Sequence, residues 1–341
     1  MKSPKESPML SSMPERAVTL TVFMEGTSNP MDVITTQIAL FSRLVDATPL
    51  PEELPTGISE IPAKSGHYKL CFSGCGVSHG FVGVIFAAGL REQCRVVRQH
   101  LEAFLAAGLS ITLNFVGLSR GGIGGAYLAQ SLADLDKSQV ILNLLLFDPV
   151  PGNFVWISRF LDPAGVSNAN QAMDVSSVGN LGRVLVLYPY VSLPALAVHA
   201  PLLIRFPMDC DLEEEVILGC HQGALFLRPA ADTCLSFARI RDFLVGVGSK
   251  LGARSQVSSR VQHIAQQLDV PDEQLADMLA QELRINAPSS RFAHCIDGRQ
   301  IVRLPSGHLL NRSHEALLRR LGRASEPPAS SDVPRYMLDL A

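Results

Sequence analysis

The sequence predicts an α/β protein with a mostly parallel sheet that is covered by helices on both faces. Short, almost continuously apolar segments recur between Ala17 and Gly219, as expected for strands buried on both faces. Segments with helical apolar spacing separate several of them, so strands and helices alternate. Apolar residues make up 47% of the 341 residues and charged residues 18%, which suffices for a large buried core.

The elements follow from local pattern in chain order. β-branched and apolar runs predict strands, and the segment 90–107 is amphipathic and closed by Gly108, as a helix should be. A helix from about Gly121 follows the third strand without a loop. The predicted strands are 17–24, 67–72, 111–117, 141–148, 183–190 and a shorter one at 214–219; the other predicted helices are 33–46 and 235–250.

Changes in composition divide the chain. Residues 1–16 are polar and Pro-rich and predict a disordered leader, and 17–252 form the predicted catalytic domain. Residues 153–182 are rich in Gly, Ser and Asn, and we hypothesise a lid there. A small helical module is predicted at 253–324, with a weak Asp-Gly hairpin signal inside it, followed by a flexible tail at 325–341.

Composition excludes several classes of function. A net charge of −3 gives no footprint for nucleic-acid binding. Seven scattered cysteines form no pair of Cys-x-x-Cys units, which argues against a zinc site and for free thiols in a reducing compartment. The N-terminus lacks the apolar core of a signal peptide, and prolines interrupt the apolar stretch 184–206, so no membrane span is predicted. We expect a cytoplasmic protein as made, with peripheral membrane contact left open.

The sharpest motif is Gly117-Leu118-Ser119-Arg120-Gly121, between a predicted strand and a predicted helix. This is the context of a nucleophile elbow, in which a strained turn projects the serine hydroxyl above the sheet of an α/β-hydrolase fold. The flanking glycines avoid clashes with the neighbouring strand and helix. The Arg120 N–H would face a developing oxyanion, with the helix N-terminus behind it.

A nucleophilic serine needs a base, and in this fold the order is serine, acid, histidine. We predict His221 as the base, because it follows a short strand among small residues in LGCHQGA. His199 lies among apolar residues and suits a buried structural role. The remaining histidines after Ser119 fall in the C-terminal module: His263, His294, His308 and His314.

The predicted acid is Asp148, which ends the strand ILNLLLFD. A carboxylate at the C-terminal edge of a parallel strand faces the crevice where ligands bind. The alternative role for it is capping of the next turn. Asp209 and Asp211, shortly before His221, are the competing candidates for the acid.

A second oxyanion donor usually comes from the loop after an earlier strand. Glu25-Gly26-Thr27 follows the first strand, and we predict Gly26 or Thr27 as this donor. Glu25 is a carboxylate beside the predicted site, and it could tether the loop or be a simple turn residue.

Five short motifs in order resemble one family, the α/β-hydrolase domain of type VI secretion phospholipase effectors and related bacterial and fungal proteins. They are FMEGTSN at 23–29, FSGCG at 72–76 with its Gly-rich continuation, GLSRG at 117–121, FDPV at 147–150 and GCHQGA at 219–224. The resemblance covers about 17–226. It implies Ser119, Asp148 and His221 as a triad that cleaves esters, phospholipids among them.

The chain departs from this family at three places. Glu25 replaces the usual Asp, the Gly-rich tract after the histidine is reduced to Gln222-Gly223-Ala224, and the segment 191–213 lacks the acidic-arginine cluster of the family.

Two hypotheses for the function remain open. The first is a serine esterase or lipase that needs no metal or organic cofactor and acts on an ester or lipid substrate. The second is a degenerate hydrolase fold that works as a binding or host-interaction module. The polar tail leaves secretion as a bacterial effector, without a cleaved signal peptide, as a further alternative to a plain disordered terminus.

Overall fold

A computed structural model describes residues 17–53, 65–75, 89–152, 167, 170–191, 201–252, 257–285, 296–297 and 300–301. The predicted leader, most of the predicted lid, much of the predicted helical module and the predicted tail lie outside these residues. None of the described helices is both long enough and apolar enough to cross a membrane.

Strands and helices alternate along the described chain, as the sequence predicts. The strands are β1 Ala17–Met24, β2 Thr48–Pro49, β3 Gly66–Phe72, β4 Ser110–Leu118, β5 Val140–Phe147, β6 Leu181–Val191, β7 Leu202–Leu203, β8 Asp211–Cys220, β9 Ile296–Asp297 and β10 Gln300–Ile301. The helices are α1 Gln37–Leu44, α2 Leu90–Ala106, α3 Arg120–Ser131, α4 Ala231–Gly246, α5 Ser259–Leu268 and α6 Asp272–Ile285.

Seven strands form one sheet in the order β2-β3-β1-β4-β5-β6-β8, and every pair of neighbours is parallel. The fold class predicted from the sequence is therefore confirmed. From β1 the chain first adds β3 on one side and then crosses to add β4 on the other. The strand order thus reverses between β1 and β4.

Helices pack on both faces of this sheet. Alternate residues of β1 point to opposite faces, as in any strand, so Val22 joins one apolar cluster and Phe23 the other. The first cluster holds α2 and α3. The second holds α1 and α4, and also Val261 and Leu268 of α5 and Leu275 of α6. The described helices beyond 252 thus share a core with the sheet, and the predicted domain boundary at 253 stays a prediction.

Two helices begin at other residues than predicted. The helix predicted at 33–46 begins at Gln37, because the Thr36 side chain accepts the Ala39 N–H and caps the helix there. The helix predicted at 235–250 begins at Ala231, where the Thr233 hydroxyl accepts the Ala230 N–H at 3.1 Å. Short capping contacts therefore decide both boundaries.

The described end of the predicted lid is packed against the sheet. Ala172, Val175 and Val178 are buried in the same cluster as α2 and α3. Arg205 donates to the Met173 carbonyl at 2.8 Å through its backbone N–H. Residues 170–180, which we call the strap, therefore pack against the sheet, and the lid at 153–182 stays a prediction.

One end of the sheet is an edge strand rich in carboxylates. β8 pairs only with β6 in the described sheet and carries Asp211, Glu213, Glu214 and Glu215. Arg183 of β6 and Arg239 of α4 both form ion pairs with Glu213. Charged side chains on an edge strand discourage pairing with a second chain.

A buried polar network crosses the middle of the sheet beneath the end of α4. The Asn114 amide donates to the Val247 carbonyl at 3.0 Å and to the Ser249 hydroxyl at 2.9 Å. Asn143 donates to Asn114 Oδ1 at 2.9 Å, and the Thr21 and Ser249 hydroxyls lie 3.0 Å apart. One asparagine side chain thus satisfies three polar groups, two in the turn after α4 and one on β5.

We predict that Asn114→Leu destabilises the fold strongly, although leucine has a similar volume. The change leaves the Asn143 amide and the Val247 carbonyl buried without partners, which costs about 2–4 kcal/mol. Urea denaturation followed by circular dichroism measures the loss. Val245→Asn, on the exposed face of α4, is the control and should stay within about 0.5 kcal/mol of wild type. Equal midpoints for Asn114→Leu and wild type would contradict the role of the network.

Candidate active site

The predicted site residues lie at the carboxyl end of the parallel sheet. Ser119 follows β4 and the Glu25–Thr27 loop follows β1, at the point where the strand order reverses. Asp148 follows β5 and His221 follows β8. In open α/β sheets, ligands bind in the crevice at such a reversal. The fold therefore gathers at the carboxyl end of the sheet residues that span almost two hundred positions of the sequence.

Ser119 occupies a strained turn between β4 and α3. Its backbone has φ 57° and ψ −118°, in the positive-φ region that is unfavourable for a residue with a side chain. Its N–H donates to the Phe147 carbonyl at 2.9 Å, and its carbonyl accepts the Ile123 N–H at 3.1 Å. The residue is 4% exposed. Ladder and helix together hold the serine in this conformation.

Close backbone approach explains both glycines of the motif. A Cβ on Gly117 would lie 2.5 Å from the Gly121 carbonyl oxygen. A Cβ on Gly121 would lie 2.4 Å from the carbonyl oxygen of Met24 and 2.7 Å from that of Glu25. Because these neighbours are backbone atoms, they cannot rotate away as a side chain could. The start of α3 can pack on the end of β1 only with glycine at 121.

Asp148 and His221 form a buried pair. His221 Nδ1 lies 2.5 Å from Asp148 Oδ2, and both side chains are almost completely buried. This contact fixes the ring so that Nδ1–H donates to the carboxylate and Nε2 is left as the basic nitrogen. Asp148 also has a positive φ of 44°, and its N–H donates to the Leu187 carbonyl at 2.8 Å. Among the described residues, no hydrogen-bond donor reaches Asp148 Oδ1.

The predicted oxyanion residues are neighbours in space. The Arg120 guanidinium donates to the Thr27 hydroxyl at 3.0 Å, which ties the start of α3 to the loop after β1. Gly26 lies against the Leu118 side chain, just before the serine. Its N–H donates to Glu25 Oε2 at 3.3 Å. Thr27 makes no described backbone hydrogen bond through its own N–H.

The competing candidates lie elsewhere or cannot be placed. Asp211 begins β8, at the opposite end of that strand from His221, and its side chain is 82% exposed beside Arg183. Asp209 precedes the same end of β8. His263 lies on α5 and contacts Gln267 at 3.2 Å. His199 and the histidines at 294, 308 and 314 lie outside the described residues.

Sequence reasoning missed the contacts that support the histidine loop. The Gln222 amide donates to Asn29 Oδ1 at 2.9 Å, joining the loop after β8 to the loop after β1. The buried Gln37 amide donates to the carbonyls of Ala224 and Thr233 at 3.3 Å and 2.8 Å. These pairs are almost two hundred residues apart, and no local pattern signals them.

Glu25 is a buried carboxyl beside the serine turn. It is 2% exposed, and burial raises its pKa from an ordinary value of 4.5 to about 7. Hydrogen bonds from the Thr36 hydroxyl and the Gly26 N–H favour the ionised form and offset part of that effect.

Within the described residues, no cluster of three or more His, Cys, Asp or Glu side chains could hold a metal ion.

No protein-family model matches this chain, and no curated protein sequence matches it. Solved structures do resemble it. An uncharacterised protein from Pseudomonas aeruginosa is 13% identical with a TM-score of 0.49, over 79% of this chain and 51% of that protein. The Tle1 effector bound to the VgrG spike of the type VI secretion system is 15% identical with a TM-score of 0.35, over 62% of this chain and 52% of that one.

A third similar structure is the peroxisomal α/β-hydrolase Lpx1 from Saccharomyces cerevisiae. It is 12% identical with a TM-score of 0.35, over 80% of this chain and 86% of that protein. The chain spans about half the length of the Pseudomonas protein and of the Tle1 effector. All three TM-scores lie below 0.5, so the fold assignment depends on the chain's own strand order and turns.

The strand order and the turns of this chain are those of an α/β-hydrolase fold. The sheet is parallel, a serine lies on a strained strand-to-helix turn near its centre, and an aspartate and a histidine in contact with each other follow later strands in the order of that fold.

We predict that Gly121→Ala abolishes the geometry of the serine turn. The new methyl group would lie 2.4 Å from the Met24 carbonyl oxygen, so α3 must move away from β1. We expect a loss of at least about 2 kcal/mol in the free energy of unfolding, measured by urea denaturation. Gly179→Ala is the matched control, since a Cβ there meets nothing within 4 Å. Equal stability of both variants would contradict this packing.

We predict that Glu25→Gln becomes more stable relative to wild type as the pH rises. A carboxyl whose pKa is raised by folding favours the folded state below its unfolded pKa of 4.5 and loses that contribution as the pH rises to 7. The advantage of the variant should grow by up to about 3 kcal/mol between pH 4.5 and 8. Urea denaturation across this range measures it. Glu102→Gln, at an exposed carboxylate of α2, should show no such growth, and a flat difference for Glu25→Gln would contradict the prediction.

Proposed function

We propose that this protein is a serine hydrolase that cleaves carboxylic esters through an acyl-enzyme on Ser119. The observation that carries the proposal is the buried contact of 2.5 Å between Asp148 Oδ2 and His221 Nδ1, at the same sheet edge as a serine in a nucleophile-elbow conformation. An aspartate that orients a histidine, at the same end of the sheet as such a serine, supplies the groups that acyl transfer uses.

Each residue has one role in the proposed reaction. The Ser119 hydroxyl attacks the acyl carbonyl carbon while His221 Nε2 accepts its proton. Asp148 holds the imidazole in the required tautomer and stabilises the imidazolium that forms. The carbon–oxygen bond of the ester then breaks, and His221 returns the proton to the leaving alcohol. Water, activated by the same histidine, releases the acid and restores the serine.

The negative charge that develops on the carbonyl oxygen needs donors that are already in place. We assign the first to the Arg120 N–H, at the N-terminus of α3, where the helix dipole favours negative charge. The second comes from the loop after β1, from Gly26 or Thr27. The Arg120–Thr27 side-chain contact supports this pairing, because it holds the two donor segments together.

The substrate is proposed only as a carboxylic ester. Phospholipids, membrane contact and delivery as a bacterial effector remain predictions that come from the sequence resemblance. Once an activated serine is established, a panel of acyl donors tests which esters are substrates. The panel holds short p-nitrophenyl esters, an acyl thioester, and phosphatidylcholine or phosphatidylglycerol vesicles.

We predict that a fluorophosphonate probe labels the wild-type protein covalently at Ser119. Ser119→Ala should abolish labelling, and His221→Ala should slow it by at least about a thousandfold. Asp148→Asn should slow it by about a thousandfold or more, because the amide favours the wrong imidazole tautomer. Gel fluorescence and mass spectrometry of the labelled peptide measure the effect.

The control variant is Ser131→Ala, at the far end of α3 from Ser119, which should label like wild type. A folded wild-type protein that does not label would contradict the proposed function and would favour a degenerate hydrolase fold that binds a partner. Labelling at a residue other than Ser119 would contradict the assigned nucleophile.

A further inference from the structure

Glu25 is a buried carboxyl that the proposed reaction does not use. It follows β1 directly, where its N–H continues the ladder by donating to the Phe72 carbonyl at 3.1 Å. Its own carbonyl oxygen faces Gly121 at the start of α3. Its side chain is held away from solvent, although a carboxylate in a surface turn would cost nothing. Because burying a carboxyl costs free energy, its position beside the serine turn needs a physical explanation.

The carboxyl joins two structures that meet at the site. Oε1 accepts a short hydrogen bond from the Thr36 hydroxyl, and Thr36 is the N-cap residue of α1. Oε2 accepts the Gly26 N–H at 3.3 Å. The first peptide of the loop after β1 is therefore anchored to the beginning of α1 through a single side chain.

Other contacts hold the far end of the same loop. The Asn29 N–H donates to the Gly26 carbonyl at 3.1 Å, and the Asn29 carbonyl accepts the Gly74 N–H at 2.9 Å. The Gln222 amide reaches Asn29 Oδ1 at 2.9 Å. Between these anchors and Glu25, the segment 26–29 has little freedom. Thr27 lies in the middle of it, with its side chain on Arg120.

We propose that Glu25 is a positioning residue, which engages the Gly26 N–H and so presents the Thr27 N–H as the second oxyanion donor. The inference rests on the proposed function and narrows it from two candidate donors to one. Gly26 N–H is directed at the Glu25 carboxylate, whereas among the described residues no backbone carbonyl accepts the Thr27 N–H. A carboxylate accepts both hydrogen bonds, whereas the amide of a glutamine at position 25 has only one oxygen to accept one of them. One of the two contacts must therefore change, and the Gly26–Thr27 segment is held less firmly.

A merely structural residue and a positioning residue differ in what their removal does. Replacing a structural residue lowers stability and, through it, activity. Replacing Glu25 by glutamine removes a carboxylate that is costly to bury, so the variant should melt at an equal or higher temperature at pH 8 while it reacts more slowly. Stability given up for the geometry of a site is a common feature of enzymes.

The experiment uses the full chain with Glu25→Gln, Thr36→Val and the conservative Thr36→Ser. The measurements at pH 8 are the second-order rate constant of fluorophosphonate inactivation, kcat and KM for p-nitrophenyl butyrate, and the melting temperature. We expect Glu25→Gln to lower the inactivation constant and kcat by about 10- to 100-fold, with KM within about threefold, since misplaced oxyanion donors weaken transition-state binding.

Thr36→Val removes the hydroxyl that donates to Glu25 and should lower kcat by about 3- to 10-fold. Thr36→Ser keeps that hydroxyl and should retain most of the wild-type kcat. Glu102→Gln is the surface control. If wild type reacts and Glu25→Gln reacts at the same rate, the inference is wrong and the proposed function stands. A lower melting temperature of Glu25→Gln that accounts for its slower reaction would also overturn it. If wild type itself does not react, the proposed function fails, and this inference fails with it.

Discussion

The close approach of α3 to the end of β1 is the constraint on which the site depends. Gly121 packs against the carbonyl oxygens of Met24 and Glu25 with no room for a methyl group. That contact forces the turn at Ser119 to be sharp, and it puts the loop after β1 beside the first N–H groups of α3. Ser119 and the loop that we propose to supply the second oxyanion donor follow strands that are neighbours in the sheet but more than ninety residues apart in the chain. Strand order and one glycine together produce this proximity.

Hydrogen bonds between loops at the carboxyl end of the sheet hold the rest of the site together. The Gln222–Asn29 hydrogen bond joins the histidine loop to the loop after β1, and Gln37 holds the turn after His221 from α1. Ser119 and Asp148 both have a positive φ, which is unfavourable for a residue with a side chain. Each is kept there by a hydrogen bond from its own N–H to the carbonyl of the next strand. The fold stores backbone strain at the positions where the proposed chemistry needs it.

The elements that depend on local sequence pattern could be predicted well. The central strands β1, β3, β4 and β5 lie within a residue of their predicted bounds, because each is an apolar run ended by a glycine or a polar turn. The tight turn at Ser119 could be predicted from its flanking glycines, and the position of Asp148 from the end of its strand. The strap at 170–180 was not readable, because three apolar residues at 172, 175 and 178 are diluted by Gly, Ser and Asn. The burial of Glu25 depends on Thr36 and on α1, and a carboxylate after a strand otherwise resembles any turn residue.

His221 follows an edge strand of the sheet. β8 is bonded on one side only within the described sheet, so breaking one ladder frees it, whereas β4 is held by strands on both sides. Local opening therefore costs less at β8 than at the serine turn. Mild heat or denaturant should therefore break the contact between Asp148 and His221, and with it the proposed activity, while the core and most of the circular dichroism persist. The proposed activity would then show whether the edge strand β8 is in place, and not whether the whole protein is folded.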